Sequence, residues 1–258
     1  IMPWLEASDP FPDLTGRHVL GIAARLAQHD SGLHQHPWGQ ILYTHSGCIT
    51  VTLDEQLGLL PPGRLIWIPA LLPHQAQMSE QVDYRSVYLD PTHYPALPVE
   101  VQLLAANDLL TAALDRIAQA DLDENWDQPP GLHVMLVLLD ELQRAPDQAL
   151  FLPLPQDSRL RQIPLDTLPP ALNELASYLG ASEKTISRLF KRDTGLNYQQ
   201  WRQQWRLLKA IEQLSTGGQV TRLAADLGFA SDSAFIAFFK EQTGLTPGYY
   251  GRQKRYFD

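Results

Sequence analysis

Apolar and polar positions alternate over the first third of the chain. Ile49, Val51 and Leu53 are separated by polar residues, and a Pro-Pro-Gly turn at residues 61–63 precedes the apolar run LIWIP. Strict alternation over short segments bounded by turn residues is typical of half-buried strands. The pattern over residues 18–89 therefore predicts several short strands that form a sandwich or a barrel.

The spacing of apolar residues becomes helical beyond residue 101. Two helical segments are predicted between Val101 and Arg144, with a break at residues 128–131. The second segment, HVMLVLLDELQRA, is apolar around most of its circumference. Such a helix needs cover on more than one side, which either the barrel alone or the barrel and a second subunit can supply.

Six prolines between residues 146 and 170 interrupt this helical pattern. We place a linker at residues 146–156, and beyond it the pattern is wholly helical, with the longest helix from about Tyr198 to Leu214. The predicted fold class is α+β. Its predicted parts are a barrel domain at residues 1–100, a helical dimerisation segment at 101–145, the linker, and an all-α domain at 157–258.

One segment of the all-α domain occurs twice. LGASEKTISRLFKRDTGL at residues 179–196 returns as LGFASDSAFIAFFKEQTGL at 227–245. In each copy a glycine ends a short helix, and Ser182 or Ser231 is the predicted N-cap of the next helix. That next helix has an apolar face for docking and an open face, which is what a helix-turn-helix requires. One copy alone also fits an ordinary helical hairpin, but two copies in register favour DNA binding.

The open faces of the two predicted recognition helices supply the candidate DNA contacts. Arg188 suits a guanine edge, Lys191 and Lys240 suit phosphates, and the second helix offers mostly apolar contacts such as Ala237. The candidates are Ser182, Lys184, Thr185, Ser187, Arg188 and Lys191 in the first unit and Ser231, Asp232, Ser233, Ala237 and Lys240 in the second.

The charge distribution agrees with this interpretation. The chain has a net charge of −9, but residues 170–258 contain 12 Lys and Arg against 8 Asp and Glu, a net charge of +4. Residues 1–169 contain 8 against 21, a net charge of −13. A basic segment in an acidic chain indicates contact with a polyanion, although a solvated basic face has the same composition.

Residues 157–250 resemble the C-terminal domain of AraC/XylS-type transcriptional regulators. The resemblance covers both repeated units and their connecting helix, and it ends in the Pro-x-x-Tyr tail at Pro247–Tyr250. It implies two helix-turn-helix motifs on one connecting helix, with the recognition helices in successive major grooves. The partners it implies are double-stranded promoter DNA, a small-molecule effector, a second copy of the chain, and RNA polymerase if the regulator activates transcription.

The N-terminal segment resembles the paired motifs of cupin barrels. His34 and His36 lie two residues apart, Gln40 follows, and His74 comes after the next turn and strand. The resemblance implies a divalent metal held by the three histidines inside a cupin-like barrel. Gln40 stands where the motif has glutamate and Leu71 where it has glycine. The loss of a carboxylate leaves two interpretations open, a metal site or a pocket of hydrogen-bonded histidines.

Trp38, Tyr43 and Trp67 are candidates for the lining of the same effector pocket, although buried aromatic residues more often belong to a core. The leading hypothesis is a regulator that senses a small molecule with the barrel and binds DNA with the helical domain. A metal-dependent cupin enzyme of the dioxygenase or isomerase type is the alternative, and the duplicated motif argues against it. A barrel used only for dimerisation is a third possibility.

The single Cys48, the absence of an 18-residue apolar run and the absence of a signal-peptide pattern at the start of the chain predict a cytoplasmic protein that does not contact membranes.

Overall fold

A computed structural model describes residues 4–5, 15–148 and 150–251. The chain forms two compact units, one from residues 1–52 and 58–150 and the other from residues 53–57 and 151–258. Among the described residues, no helix has both the length and the apolar character needed to cross a bilayer. The sequence predicts that the first 13 residues are not a signal peptide, and most of these residues lie outside the described residues.

The first unit contains two sheets, as the alternating pattern predicts. The six-stranded sheet has the order β1 (Trp4–Leu5), β2 (Val19–Leu26), β9 (Val82–Leu89), β4 (Gly39–Thr44), β7 (Arg64–Ile68) and β10 (Gln102–Ala105). Only β1 pairs in parallel with its neighbour. The second sheet contains, in spatial order, β6 (Gln56–Leu60), β5 (Ile49–Leu53), β8 (His74–Met78) and β3 (His29–Asp30).

Two helices, α1 (Asp108–Ala118) and α2 (Gly131–Arg144), cover one face of the six-stranded sheet. Fully buried residues from the sheet and from both helices share one core there, among them Ile41, Trp67, Val87, Leu114 and Leu138. The end of α1 lies so close to β2 that a Cβ at Gly21 would be 1.9 Å from the carbonyl oxygen of Ile117. Gly21 therefore permits the contact between helix and sheet.

The prediction of a helix from Val101 is wrong, because residues 102–105 form strand β10 instead. Leu103 lies opposite Ile66 and Leu104 opposite Leu65, in antiparallel register with β7. Both leucines are buried. A four-residue strand at the edge of a helical segment is specified by its pairing partner more than by its own pattern.

Among its described residues, the second unit is helical apart from β11 (Phe151–Pro153) and the strand residues within 53–57. A 3-10 turn (Leu160–Gln162) precedes six helices: α3 (Leu172–Tyr178), α4 (Glu183–Thr194), α5 (Tyr198–Ser215), α6 (Val220–Asp226), α7 (Asp232–Thr243) and α8 (Pro247–Tyr250). The predicted connecting helix is α5, and the apolar residues that recur along it at helical spacing, Trp201, Trp205, Leu208 and Ile211, are buried.

The proline-rich segment is packed, although the sequence predicts a linker over part of it. The Trp201 indole donates to the carbonyl oxygen of Pro153 at 2.7 Å and the Trp205 indole to that of Leu165 at 3.1 Å. The Tyr198 hydroxyl donates to the carbonyl oxygen of Pro170 at 2.7 Å. Prolines lack an N–H but keep a carbonyl, so the backbone at Pro153 and Pro170 can only accept hydrogen bonds, and α5 supplies the donors.

Candidate DNA-binding helices and histidine pocket

The two repeated units have the same helix-start geometry. The Ser182 hydroxyl accepts a hydrogen bond from the backbone N–H of Thr185 at 3.2 Å, and the Ser231 hydroxyl accepts one from Ala234 at 3.2 Å. Both serines are therefore the N-caps of their helices, as predicted. Gly180 and Gly228 precede them with φ of +61° and +68°, in the left-handed region that favours glycine.

The repeated Thr-Gly-Leu ending forms the same cap at the other end of each helix. The Thr194 hydroxyl donates to the carbonyl oxygen of Phe190 at 2.7 Å and accepts from the N–H of Leu196 at 3.2 Å. Thr243 repeats this arrangement with Phe239 at 2.8 Å and Leu245 at 3.2 Å. The glycine between them adopts a left-handed conformation in both copies. The duplicated tripeptide therefore has a structural reason.

One face of each helix is buried and the opposite face is open. Ile186, Leu189 and Phe190 are buried in α4, as are Phe235 and Phe239 in α7. Of the candidate DNA contacts, the exposed ones are Ser182, Lys184, Arg188, Lys191, Ser231, Ser233, Ala237 and Lys240, and the half-buried ones are Thr185, Ser187 and Asp232. Both helices thus present a continuous accessible face.

The lysine at the end of α4 differs from the other exposed basic residues. The Lys191 ammonium donates to the carbonyl oxygen of Gly195 at 2.6 Å, so it caps its own helix in this conformation. Cations near a helix C-terminus are stabilised by the helix dipole. The ammonium has three N–H donors, so a phosphate contact by Lys191 can be added to this hydrogen bond.

Arg206 on α5 is a further structural residue of the second repeat, and the sequence analysis missed it. It is only 8% exposed, donates to the carbonyl oxygen of Gly228 at 3.3 Å, and lies 5.0 Å from the ring centroid of Phe229. Burial lowers the pKa of its guanidinium. The sequence signal for its burial is its position between Trp205 and Leu207, which are both buried. A buried arginine needs hydrogen-bond acceptors nearby.

In the first unit, His34, His36 and His74 lie together, and their candidate ligand nitrogens are all within 4.8 Å of one another. Backbone pairing fixes two of them, since the N–H of His34 donates to the carbonyl oxygen of His74 at 3.0 Å and the reverse bond is 2.9 Å. His74 is buried, and His34 is the least buried of the three. The three histidines that the sequence spacing brings together in the prediction are therefore also together in the structure.

Backbone carbonyls fix the tautomer of each imidazole in this cluster. His34 Nδ1 lies 2.9 Å from the carbonyl oxygen of Gly32, His36 Nδ1 2.6 Å from that of Trp38, and His74 Nδ1 2.8 Å from that of Leu72. A carbonyl only accepts, so each Nδ1 carries the hydrogen and each neutral ring has its lone pair on Nε2.

The Nε2 atom of His74 is buried without a hydrogen-bond partner among the described residues. Burial lowers the pKa of His74 to about 4 and also lowers the pKa of His36, so both rings are neutral at pH 7. A buried acceptor without a donor is costly. The cluster therefore offers free lone pairs of the kind that bind transition metals.

Gln40 on β4 points its side-chain carbonyl at the cluster. Its Oε1 lies 3.2 Å from Nε2 of His36. Its amide nitrogen lies 2.9 Å from the hydroxyls of Ser86 and Tyr88 and 3.3 Å from that of Tyr84. Because Nε2 of neutral His36 is also an acceptor, two lone pairs face each other across this short distance.

Two of the predicted pocket aromatics lie elsewhere. Tyr43 and Trp67 belong to the core under the helices, where the Tyr43 hydroxyl donates to Asp115 at 2.9 Å and the Trp67 indole donates to the carbonyl oxygen of Pro98 at 2.8 Å. Tyr43 lies three residues after Gln40 on one strand, so the two side chains point to opposite faces. Their assignment to the pocket is wrong. Trp38 packs with Tyr88 on the pocket face.

Comparisons with known proteins agree with the geometry of both units. An AraC-like ligand binding domain matches residues 18–163, and a helix-turn-helix domain matches residues 175–253. The HTH-type transcriptional regulator NimR of Escherichia coli is 31% identical over 234 residues, which are 89% of this chain and 85% of NimR. The chain belongs to the AraC family of regulators.

Two further proteins of lower identity are similar to this AraC-family chain. The HTH-type transcriptional regulator RipA of Corynebacterium glutamicum is 25% identical over 221 residues, which are 80% of this chain and 60% of RipA. The structure of ToxT from Vibrio cholerae aligns with 92% of this chain and 98% of its own, at 10% identity and a TM-score of 0.38. The family match makes this chain a transcriptional regulator that senses a small molecule through its N-terminal domain and binds promoter DNA through its helix-turn-helix motifs.

The departure at Leu71 places strain beside the histidine cluster of this regulator. Leu71 has φ of +63°, and among the described residues it alone has a positive φ without being glycine. Its N–H donates to the carbonyl oxygen of His36 at 2.8 Å, so the strained turn holds one of the histidine-bearing segments. The cupin motif has glycine here, and the backbone keeps the conformation that glycine adopts easily.

We predict that Leu71→Gly raises the midpoint of thermal unfolding by about 1 to 4 °C. The left-handed conformation costs a leucine about 1 to 2 kcal/mol, and the substitution removes this cost. The greater conformational entropy of glycine in the unfolded chain offsets about half of the resulting gain in the free energy of unfolding. Little burial is lost, since Leu71 is 62% exposed. Leu33→Gly is the control, because Leu33 is also exposed but has no left-handed backbone. A lower midpoint for Leu71→Gly would contradict the prediction.

Proposed function

We propose that this regulator reads promoter DNA through the open faces of α4 and α7 and binds its effector at the histidine pocket. The observation that carries the DNA proposal is that the two helices have the same caps and a buried apolar face, while the residues on their exposed faces differ. The same serine, threonine and glycine contacts hold both helices, while the exposed residues differ between the copies. Recognition of a base sequence by a helix requires that the orientation of the helix is fixed and that its exposed side chains can vary.

The two helices are chemically unequal readers. Arg188 on α4 is exposed, and a guanidinium can donate two hydrogen bonds to guanine. The aligned residue on α7 is Ala237, and Ile236 beside it is 37% exposed. Apolar side chains offer contact to a thymine methyl group but no hydrogen bond. We therefore propose an asymmetric operator whose stronger base preference lies under α4.

The histidine pocket fits a divalent transition metal. Its three imidazoles have fixed tautomers with free Nε2 lone pairs, and hydrogen bonds from the opposite nitrogen to a carbonyl are the usual support of metal-binding histidines. His34, His36 and His74 would hold the ion, with the Gln40 carbonyl as a weaker ligand. Zn, Fe, Ni and Cu all accept imidazole ligands. A bound ion would supply a Lewis acid to which an effector can bind.

We propose that the regulator acts as a homodimer through α2. This helix buries Met135, Leu138 and Leu142 in its own unit, but Leu136 is 53% exposed. Leu136 is thus an apolar side chain on the otherwise polar exposed side of α2, and we place the contact with a second copy of the chain there. RNA polymerase becomes a further partner if the regulator activates transcription.

We propose that the chain has no enzymatic activity and acts in the cytoplasm, where promoter DNA is. The relatives NimR and RipA are transcriptional regulators by name, which supports the first part. The metal-dependent enzyme alternative gains no support from these relatives. A metal in the pocket would not favour that alternative by itself, because a metal serves effector binding as well as catalysis.

We predict that Arg188→Ala weakens binding to the preferred operator by about 1 to 3 kcal/mol and removes the base preference at one position under α4. Affinities for a series of single-base operator variants, measured at one salt concentration, test this. Arg222→Ala is the matched control, since Arg222 is exposed on α6 rather than on a recognition helix. A mutant that keeps its preference at every position would refute the asymmetric operator.

We predict close to one equivalent of bound metal after incubation of the purified protein with Zn2+ and removal of the excess, because three imidazole nitrogens converge. His36→Ala is expected to lose that equivalent, as measured by elemental analysis. His133→Ala is the control, because His133 lies exposed on α2 outside the cluster. A metal-free protein that still responds to its effector would favour the hydrogen-bonded pocket instead.

We predict that Leu136→Glu converts the dimer to a monomer in sedimentation velocity experiments, because a charge in an apolar interface is desolvated without a partner. Leu122→Glu is the control, since Leu122 is also partly exposed but lies outside α2. An unchanged sedimentation coefficient for Leu136→Glu would exclude this side of α2 as the interface.

A further inference from the structure

The donors of the histidine pocket are all uncharged. Three imidazoles, which bind metal ions as neutral ligands, and the amide of Gln40 face the centre of the cluster. Among the described residues, no aspartate, glutamate or cysteine joins the group that could hold an ion. A divalent cation in this pocket would therefore keep its full charge.

The nearest acidic residue along the chain, Asp30, is already committed to other partners. Its carboxylate accepts hydrogen bonds from the N–H of Gly32 at 2.8 Å and from the side chains of Gln75 at 2.7 Å and Gln77 at 2.9 Å. These three donors account for its low pKa, with the Gln75 bond as the largest contribution. Asp30 thus contributes to the surface of β3 and β8 rather than to the pocket.

The hydroxyl cluster around Gln40 explains why the amide cannot replace the missing carboxylate. Ser86 and Tyr88 surround its nitrogen at 2.9 Å, so the nitrogen side is held away from the histidines and the carbonyl side faces them. An amide oxygen contributes a dipole but no charge. A partly buried ion without a counter-charge attracts an anion, because burial of an unbalanced charge is unfavourable.

Resting on the metal site proposed above, we infer that the metal-loaded histidine pocket is a receptor for a small anion, and that the effector carries a carboxylate or a similar anionic group that binds the ion directly. The three nitrogens are the strong protein ligands, so an exogenous ligand can take the fourth position of a four-coordinate ion in place of the weak Gln40 carbonyl. Entry is from the side of His34, which is the least buried of the histidines and follows Leu33, a residue that is 74% exposed.

The first test is a titration of the full-length Co2+-loaded protein. Cobalt bound by three imidazoles absorbs visible light, and an added ligand changes its spectrum. We expect azide and acetate each to shift the visible bands in a saturable way with one anion per cobalt, while chloride at equal ionic strength serves as the reference for salt effects. Because this titration uses the wild-type chain, it does not depend on how any variant folds.

The second test is Gln40→Glu, which adds a carboxylate with almost no change of shape. We expect about tenfold or greater tightening of cobalt binding and about tenfold or greater weakening of azide binding, because the internal carboxylate supplies the counter-charge. Opposite signs from one substitution are not expected of a merely structural role. Gln35→Glu adds the same charge at an exposed position one residue from each histidine, and it is expected to change neither constant markedly.

The outcomes separate this inference from the metal proposal. Cobalt that binds without any saturable response to azide or acetate overturns the anion receptor and leaves the metal site standing. A chain that binds no cobalt overturns both. Gln40→Glu with unchanged azide affinity, in a variant whose far-ultraviolet circular dichroism matches the wild type, overturns the role assigned to the neutral donor set.

Discussion

The alternation of side chains along β4 is the constraint on which the first unit depends. All six residues of this strand are buried, because it lies between β9 and β7 in the six-stranded sheet. One face carries Gln40 towards the histidines, and the other carries Ile41 and Tyr43 towards the helices. A shift of register by one residue would exchange the two faces and lose both the pocket and the core.

The same division between a buried and an open side governs the recognition helices of the second unit. Each helix is held by a serine at one end and a threonine-glycine pair at the other, and its buried stripe needs only bulky apolar residues. The open side is free of those requirements. A duplicated unit can therefore keep its position in the fold while Arg188 in one copy corresponds to Ala237 in the other.

The features that could be predicted from the sequence are those set by local contacts. N-caps, left-handed glycines and the buried apolar positions of α5 depend on residues within a few positions of one another. The roles of Ser182 and Gly180 can therefore be predicted from the local sequence. Strand β10, the packing of the proline-rich segment and the burial of Arg206 depend on distant partners, namely β7, α5 and the turn at Gly228. The side of the sheet to which Tyr43 points follows from its odd spacing to Gln40 along one strand, so the sequence alone predicts that the two side chains lie on opposite faces.

The two departures from the cupin motif have opposite physical consequences. Leu71 keeps the left-handed backbone of the glycine it replaces and so preserves the turn that holds His36, at a cost in conformational energy. Gln40 preserves the shape of a glutamate but removes its charge. Together they maintain the arrangement of the histidines while they change what the arrangement can do. In the metal-loaded pocket proposed above, a carboxylate would satisfy the ion within the protein, whereas an amide would leave the charge to be satisfied from outside. That difference would distinguish a site that stores an ion from a site whose occupancy can be sensed.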